Sequence, residues 1–189
     1  MTPKDYWDTM TSEEYNAYFA GRYDDVFADQ EEWLQENIRR INAQRVLEVG
    51  CGAGRFAMTL AHATAYTGYD PSKTMTAVIR RAIRNGLCAE LVHEWGEVEG
   101  FFDASFTVSV LIHNTQEDAA AIIKRMTDVT QDEVWLIENK LHRGASIKHS
   151  DEHNGCWIHD YLSMVPFGWF CKHEDMNRSH DLYVFTPQV

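Results

Sequence analysis

Glu48-Val49-Gly50-Cys51-Gly52-Ala53-Gly54 closes a short apolar run, Arg45 to Gly50, and hands over to a segment patterned for a helix beginning near Arg55. An apolar run that ends in glycine has the form of a buried parallel strand and its exit turn. Three glycines at alternate positions let the backbone turn sharply and let a ligand approach without a Cβ in the way. An acid, Glu48, stands inside the strand end. A second, Asp70, ends the next apolar run, Ala65 to Asp70, at about the ~20-residue distance from which a carboxylate can grip ribose hydroxyls. Together these residues place an adenosine across the carboxyl ends of neighbouring strands. The other reading of the turn is an ordinary strand-to-helix connection that binds nothing.

The spacing separates one class of cofactor from another. A dinucleotide fingerprint has GxGxxG, with a helix N-terminus aimed at a pyrophosphate. This chain has GxGxG preceded by an acid, and a carboxylate beside a pyrophosphate would repel it. Beside the ammonium of an amino acid moiety the same carboxylate attracts.

Outward from the turn, strands and helices alternate. Before it, Trp33, Leu34, Ile38 and Ile41 recur at helical spacing from Asp29 onward. After the second strand, Pro71-Ser72 opens a helix whose Met75, Val78, Ile79, Ala82 and Ile83 form one apolar face, with Ser72 as its cap and Asn85-Gly86 as its end. Glu90 to Trp95 reads as a third strand and Ser105 to Ile112 as a fourth. Thr115 caps a helix bearing Ala119, Ile122, Ile123 and Met126, and Glu133 to Glu138 is a fifth strand. The last third holds a polar loop over 139–156, a short helix near Trp157 to Val165, and two runs, Trp169 to Asp175 and Asp181 to Thr186, spaced for an antiparallel hairpin. The fold expected is α/β: a doubly wound, mainly parallel seven-stranded sheet with helices on both faces and a C-terminal antiparallel hairpin.

Composition narrows the function classes. The 189 residues, 44% hydrophobic and 24% charged, suit one soluble domain with a real core. A single domain over 1–189 is expected, with an arm or lid at 1–28, a cofactor-binding core at 29–140 and an acceptor-side loop, helix and hairpin at 141–189. No signal segment or membrane-length apolar run is visible, and a cytoplasmic location is the default expectation. Cys51, Cys88, Cys156 and Cys171 are too scattered for a zinc ribbon or a CxxC pair and read as free thiols. A net charge of -12 disfavours a phosphate backbone as partner. Arg80, Arg81 and Arg84 form the nearest basic group, read as a solvated helix face. The sequence leaves the oligomeric state open.

The stretch VLEVGCGAGRF resembles motif I of class I, Rossmann-like S-adenosylmethionine-dependent methyltransferases, and GYDPS resembles their motif II. ASFTVSVLIHN is similar to their fourth-strand motif and VWLIENK to their fifth strand, so the likeness runs over roughly residues 30 to 140. The resemblance implies S-adenosyl-L-methionine as cofactor and S-adenosyl-L-homocysteine as product. Gly50 and Gly52 would line the methionine end, with Glu48, Cys51, Gly54 and Arg55 around them. Asp70, with Pro71 beside it, would bind the ribose. The adenine contact would fall at Trp95 or at the acidic Glu97, and Leu111 would lie on the fourth-strand motif. Thr107 stands where relatives often have Asp.

Methyl transfer is an in-line displacement, so the protein must align an acceptor and, for a poor nucleophile, remove its proton. The acceptor is expected beyond the carboxyl ends of the fourth and fifth strands. His113 and Asn114, then Glu138 and Asn139, stand there, each with a plain alternative as a helix-end or sheet-end partner of the backbone. His113 is the first candidate base and His159, beside Asp160 and Tyr161, the second. Tyr18, Arg22 and Tyr23 of the aromatic arm are candidate acceptor contacts, or else pack on the first helix. His149-x3-His153, with Asp151, Glu152 and His159 near, has metal-ligand spacing only on a helix; a solvated loop is the reading adopted, and no metal is assigned.

The expected function is methylation of an O or N atom of a small molecule. Methylation of a protein or peptide amine and cofactor binding without catalysis are the alternatives. Neither nucleic acid nor membrane is an expected partner. Filter binding with bulk DNA or RNA at moderate salt should show no retention; retention with a steep salt dependence would reveal a basic face that the sequence conceals.

Overall fold

The computed structural model describes residues 5, 7–11, 14, 15, 17, 21, 23–140, 148–150, 155–157 and 159–188. Tyr18, Arg22 and the Asp151–His153 stretch lie outside them, and His149 is described by its backbone alone. The chain divides into two compact units, Met1–Gly100 and Phe101–Val189. They contribute three and four strands to a seven-stranded, mostly parallel sheet.

In the first unit, helix α1 (Asp24–Ile41) places Val26, Gln30, Leu34 and Ile38 on one buried stripe. It starts five residues before Asp29, because Asp24 and Asp25 in its first turn and Arg39 and Arg40 in its last suit the helix dipole. Asn42, in the left-handed conformation at φ 55°, ends it. Strands β1 (Arg45–Val49), β2 (Ala65–Tyr69) and β3 (Ala89–Val92) follow in spatial order β3-β2-β1, paired in parallel. The glycine turn is longer than the sequence suggests: residues 52–56 are turns, and helix α2 begins only at Ala57 (Ala57–Leu60). Helix α3 (Ala77–Arg84) begins after a turn in which Ser72 Oγ accepts the Met75 N–H at 3.1 Å.

The third strand stops at Val92 rather than Trp95. Glu97 reaches back to accept the His93 and Glu94 amides at 2.9 and 3.0 Å, and so folds Trp95–Glu97 into a 3-10 turn.

In the second unit the order is β4-β5-β9-β8, with β4 (Phe102–Val108) parallel to β5 (Thr130–Asn139) and β9 (His180–Pro187) antiparallel to both β5 and β8 (Trp169–Asp175). Val134, Trp135, Leu136 and Ile137 are completely buried, as a strand covered on both faces requires. Helix α4 (Gln116–Val129) is capped by Thr115, whose hydroxyl accepts the Asp118 N–H at 3.2 Å.

Three expectations for this unit need correction. The fourth strand ends at Val108, because Ser109 turns at φ 55° and Leu111–His113 coil into a 3-10 turn. The polar loop contains a small antiparallel pair, β6 (Lys148–Ser150) and β7 (Gly155–Trp157), which places His149 on a strand. The helix expected from Trp157 is only the 3-10 turn Tyr161–Met164. No helix among the described residues is long and apolar enough to cross a membrane.

Gly54 is held at φ 81°, and a Cβ there would lie 2.6 Å from the Cβ of buried Ile79. Gly54→Ala should therefore destabilise the protein by about 1 to 3 kcal/mol through overpacking and an unfavourable φ, measured by urea unfolding.

Candidate functional site

Candidate side chains of the first unit gather where β1 and β2 end. The Gly50 and Cys51 amides both donate to the Tyr69 carbonyl, at 2.7 and 3.1 Å, which bends the chain back over β2. Asp70 then ties the turn down: its Oδ2 accepts the Gly52 N–H at 2.9 Å and its Oδ1 the Ser72 N–H at 2.8 Å. Burial raises the Asp70 pKa, and these two amides oppose that rise. Gly52 sits at φ 49°, and a Cβ there would meet only Met75 Cε, at 3.9 Å, so the space over the turn is open.

Glu48 is buried beneath, hydrogen-bonded by the Tyr66 hydroxyl. Desolvation pushes its pKa up to about 8, against opposing contributions from Tyr66 and Arg55. The Arg55 guanidinium lies over the rings of Phe27 and Phe56, 3.9 and 4.1 Å from their centroids, and donates to Gln30 Oε1 at 3.0 Å. Tyr15, from the N-terminal arm, joins this group. Its hydroxyl pKa is raised by burial, with Arg55, Glu48 and Asp70 all close enough to act on it. Cys51 is buried with its thiol pKa well above the usual range, mainly through desolvation, so it contributes shape rather than reactivity.

Trp95 is half-buried, edge-on to Tyr69 at 5.1 Å between ring centroids. Pro71 is half-buried between Asp70 and Ser72. Glu97 is exposed and spends one carboxylate oxygen on its own 3-10 turn. His93 Nδ1 lies 2.8 Å from the Asp70 carbonyl oxygen, and Asp8 accepts the Ser72 hydroxyl at 2.6 Å. Tyr23, by contrast, is 39% exposed at the start of α1, near Phe27 at 6.0 Å.

In the second unit the chemistry gathers on the turn after β4. Glu138, fully buried near the end of β5, accepts the Val110 and Leu111 amides on Oε1, both at 3.2 Å. Desolvation lifts its pKa to about 8, opposed by these amides and by Thr107, whose hydroxyl approaches without completing a hydrogen bond. The buried His159 Nε2 lies 3.1 and 3.2 Å from the Leu111 and Asn114 carbonyl oxygens, and burial lowers its pKa. Asn114 Nδ2 donates to the Val110 carbonyl at 2.8 Å, and His180 Nε2 lies 2.8 Å from Ser109 Oγ. The turn is thus held at its amides by Glu138 and at its carbonyls by His159. Leu111 is buried within it, and His113 is half-buried at its end. Asn139 Oδ1 has no hydrogen-bond partner.

Sequence reading missed Tyr15 as a neighbour of Glu48, and missed Tyr66, His93, Ser109 and His180 altogether. Tyr66 and His180 lie within strands, where nothing local distinguishes them. Ser109 betrays itself only by its positive φ. Among the described residues no group of three or more His, Cys, Asp or Glu is placed to hold a metal ion.

Residues 46–133 match the family model of a methyltransferase domain. No curated protein sequence matches the chain. Solved structures share its fold. The DhpI–SAH complex aligns with TM-score 0.74 at 18% identity, over 98% of this chain and 95% of that one. Magnesium protoporphyrin IX methyltransferase (ChlM) from Synechocystis PCC 6803 with bound SAH aligns with TM-score 0.74 at 15% identity, over 97% of each chain. CalS10, an amino pentose methyltransferase from Micromonospora echinaspora, aligns with TM-score 0.71 at 16% identity, over 92% and 96%.

Both Glu48 and Glu138 titrate near 8 when folded and near 4.5 when free, so the folded protein binds more protons between those values. Their contribution to stability is complete below about pH 4.5 and declines as pH rises towards 8. Urea unfolding from pH 5 to 8 should show Glu48→Gln lowering the slope of this decline relative to wild type.

Proposed function

We propose that this chain, whose residues 46–133 match the family model of a methyltransferase domain, transfers the methyl group of S-adenosyl-L-methionine to an O or N atom of a small molecule. The observation that carries this reading is the glycine turn, open above Gly52 and fixed to Asp70, with Glu48 buried beneath it. An ammonium-bearing, ribose-bearing cofactor fits such a set: acids for the ammonium and the ribose hydroxyls, and a turn free of side chains for the sulfonium arm. Relatives in fold support it, since ChlM is described with bound SAM as well as SAH.

Gly50, Cys51, Gly52 and Gly54 shape the cradle, and Glu48 and Arg55 serve the methionine end. Asp70 and Pro71 serve the ribose. Trp95 is the better adenine contact, a half-buried ring, while the Glu97 carboxylate is engaged with backbone. The bound cofactor would supply an electrophilic methyl carbon on a positively charged sulfur.

Acceptor binding falls to Asn114, Glu138 and Asn139, with Tyr18, Arg22 and Tyr23 proposed from the arm. His159 presents the better base. Its Nε2 proton is held between two carbonyls, and its lowered pKa leaves the ring neutral with Nδ1 able to accept a proton. His113 is the second candidate.

Calorimetry should show micromolar binding of S-adenosyl-L-methionine and its demethylated product. Gly52→Val should abolish it, and Asp70→Ala should weaken it by about 1 to 3 kcal/mol. His159→Ala and His113→Ala should keep cofactor affinity, and the true base should lose about a hundredfold or more in turnover. Preference for a nicotinamide dinucleotide would refute the reading. Cofactor binding without S-adenosyl-L-homocysteine formation on any small-molecule or peptide acceptor would leave only a binding protein.

A further inference from the structure

Among the buried polar atoms of the second unit's described residues that have no hydrogen-bond partner are Glu138 Oε2, the Tyr161 hydroxyl oxygen and His159 Nδ1. Their side chains are 0%, 1% and 2% exposed. The rings of His159 and Tyr161 are edge-on at 5.5 Å between centroids. After burial, the main influence on the Tyr161 hydroxyl is the neighbouring charge of Glu138. Glu138 and His159 also bind one residue, Leu111, at its amide and its carbonyl, so the three side chains are neighbours. An unsatisfied buried polar group costs about 1 to 3 kcal/mol, so three together mark a place completed by something else.

The hydrogen-bonding capacity of the cluster identifies what completes it. With its Nε2 proton committed to the Leu111 and Asn114 carbonyls, the neutral His159 ring offers Nδ1 only as an acceptor. Glu138 Oε1 is occupied by two amides; burial lifts this acid to about 8, and an arriving cation favours its ionised form, in which Oε2 is a second acceptor. Tyr161 can donate or accept. A hydroxyl has one proton and can satisfy one acceptor. A carboxylate has none and would meet the charge of Glu138. A protonated primary or secondary amine has two or three N–H donors and a positive charge. The aromatic surroundings suit that charge as well: the Trp157 ring is parallel to His159 at 6.3 Å, and Tyr183 is edge-on to Tyr161 at 5.1 Å.

We infer that Glu138, Tyr161 and His159 form the recognition site for an amine, the nitrogen to be methylated. The binding claim stands on the cluster itself, and its catalytic consequence rests on the methyl-transfer reading above. The ammonium gives one proton to His159 Nδ1. The freed nitrogen lone pair then forms the N–C bond as the C–S bond of the sulfonium donor breaks, its electron pair going to sulfur. The product leaves as the methylated ammonium, and the imidazolium returns its proton to solvent.

Methylammonium is the probe. It should be titrated into the full-length protein labelled with 15N-histidine, with methanol and acetate as matched controls. Methylammonium should shift the His159 nitrogen resonances saturably, and the controls should not. In Tyr161→Phe and Glu138→Gln the apparent affinity should fall at least tenfold. The two variants guard against a folding defect in either one, and unfolding curves identify such a defect. Absence of a saturable shift in the wild-type protein, an equal response to methanol or acetate, or full affinity in both folded variants would overturn the proposal and assign the cluster to internal water.

Turnover with matched sets of primary amines, alcohols and carboxylic acids is the second arm, with products in the amine set alone expected. Methylation confined to alcohols or acids would also overturn it. Failure of the cofactor reading is separately visible, as loss of S-adenosyl-L-homocysteine binding in calorimetry while methylammonium still binds.

Discussion

The hydrogen bonds that the Gly52 and Ser72 amides donate to Asp70 are the constraint on which the first unit depends. A parallel strand delivers its chain into a loop whose first amides have no ladder partner, and a buried amide left unpaired is costly. One carboxylate at the end of β2 satisfies an amide in each of two consecutive loops. The glycine turn and the start of the α3 region are thereby fixed to each other. The second unit solves the same problem with Glu138, which takes the first two amides beyond Ser109.

This economy has an electrostatic cost that bears on chemistry. Glu48, Asp70 and Glu138 all have raised pKa values, and in each desolvation is the principal cause. The protein is thus poised to gain from a cation or a hydrogen-bond donor at each acid, and ligand binding offsets a penalty already incurred in folding. His159 shows the complementary case. Its ring is held neutral by burial while two carbonyls fix its tautomer, which leaves an acceptor nitrogen facing inward.

Strands β1, β2 and β5, both edges of the terminal hairpin and the Thr115 cap were legible in the sequence, because each follows from a local rule: an apolar run, a spacing or a capping residue. Errors cluster at ends. Strand four was read through to Ile112 because Val110, Leu111 and Ile112 are as apolar as any strand. What turns them into a 3-10 coil is Glu138, 28 residues from Val110 in sequence. The helix expected from Trp157 failed likewise, since Trp157 is engaged in a strand pair with Lys148.

The sequence by itself determined the α/β class and the glycine turn with its two acids, since these depend on neighbours within a few residues and on the period of the apolar pattern. It also singled out His113, Glu138 and His159 as candidates. Only the tertiary structure decided what surrounds them. Which nitrogen of His159 carries the proton, which oxygen of Glu138 is left without a partner, and whether Tyr15 reaches Glu48 depend on contacts between distant segments. Burial and hydrogen-bond pairing are properties of the folded surroundings, and no spacing along the chain encodes them.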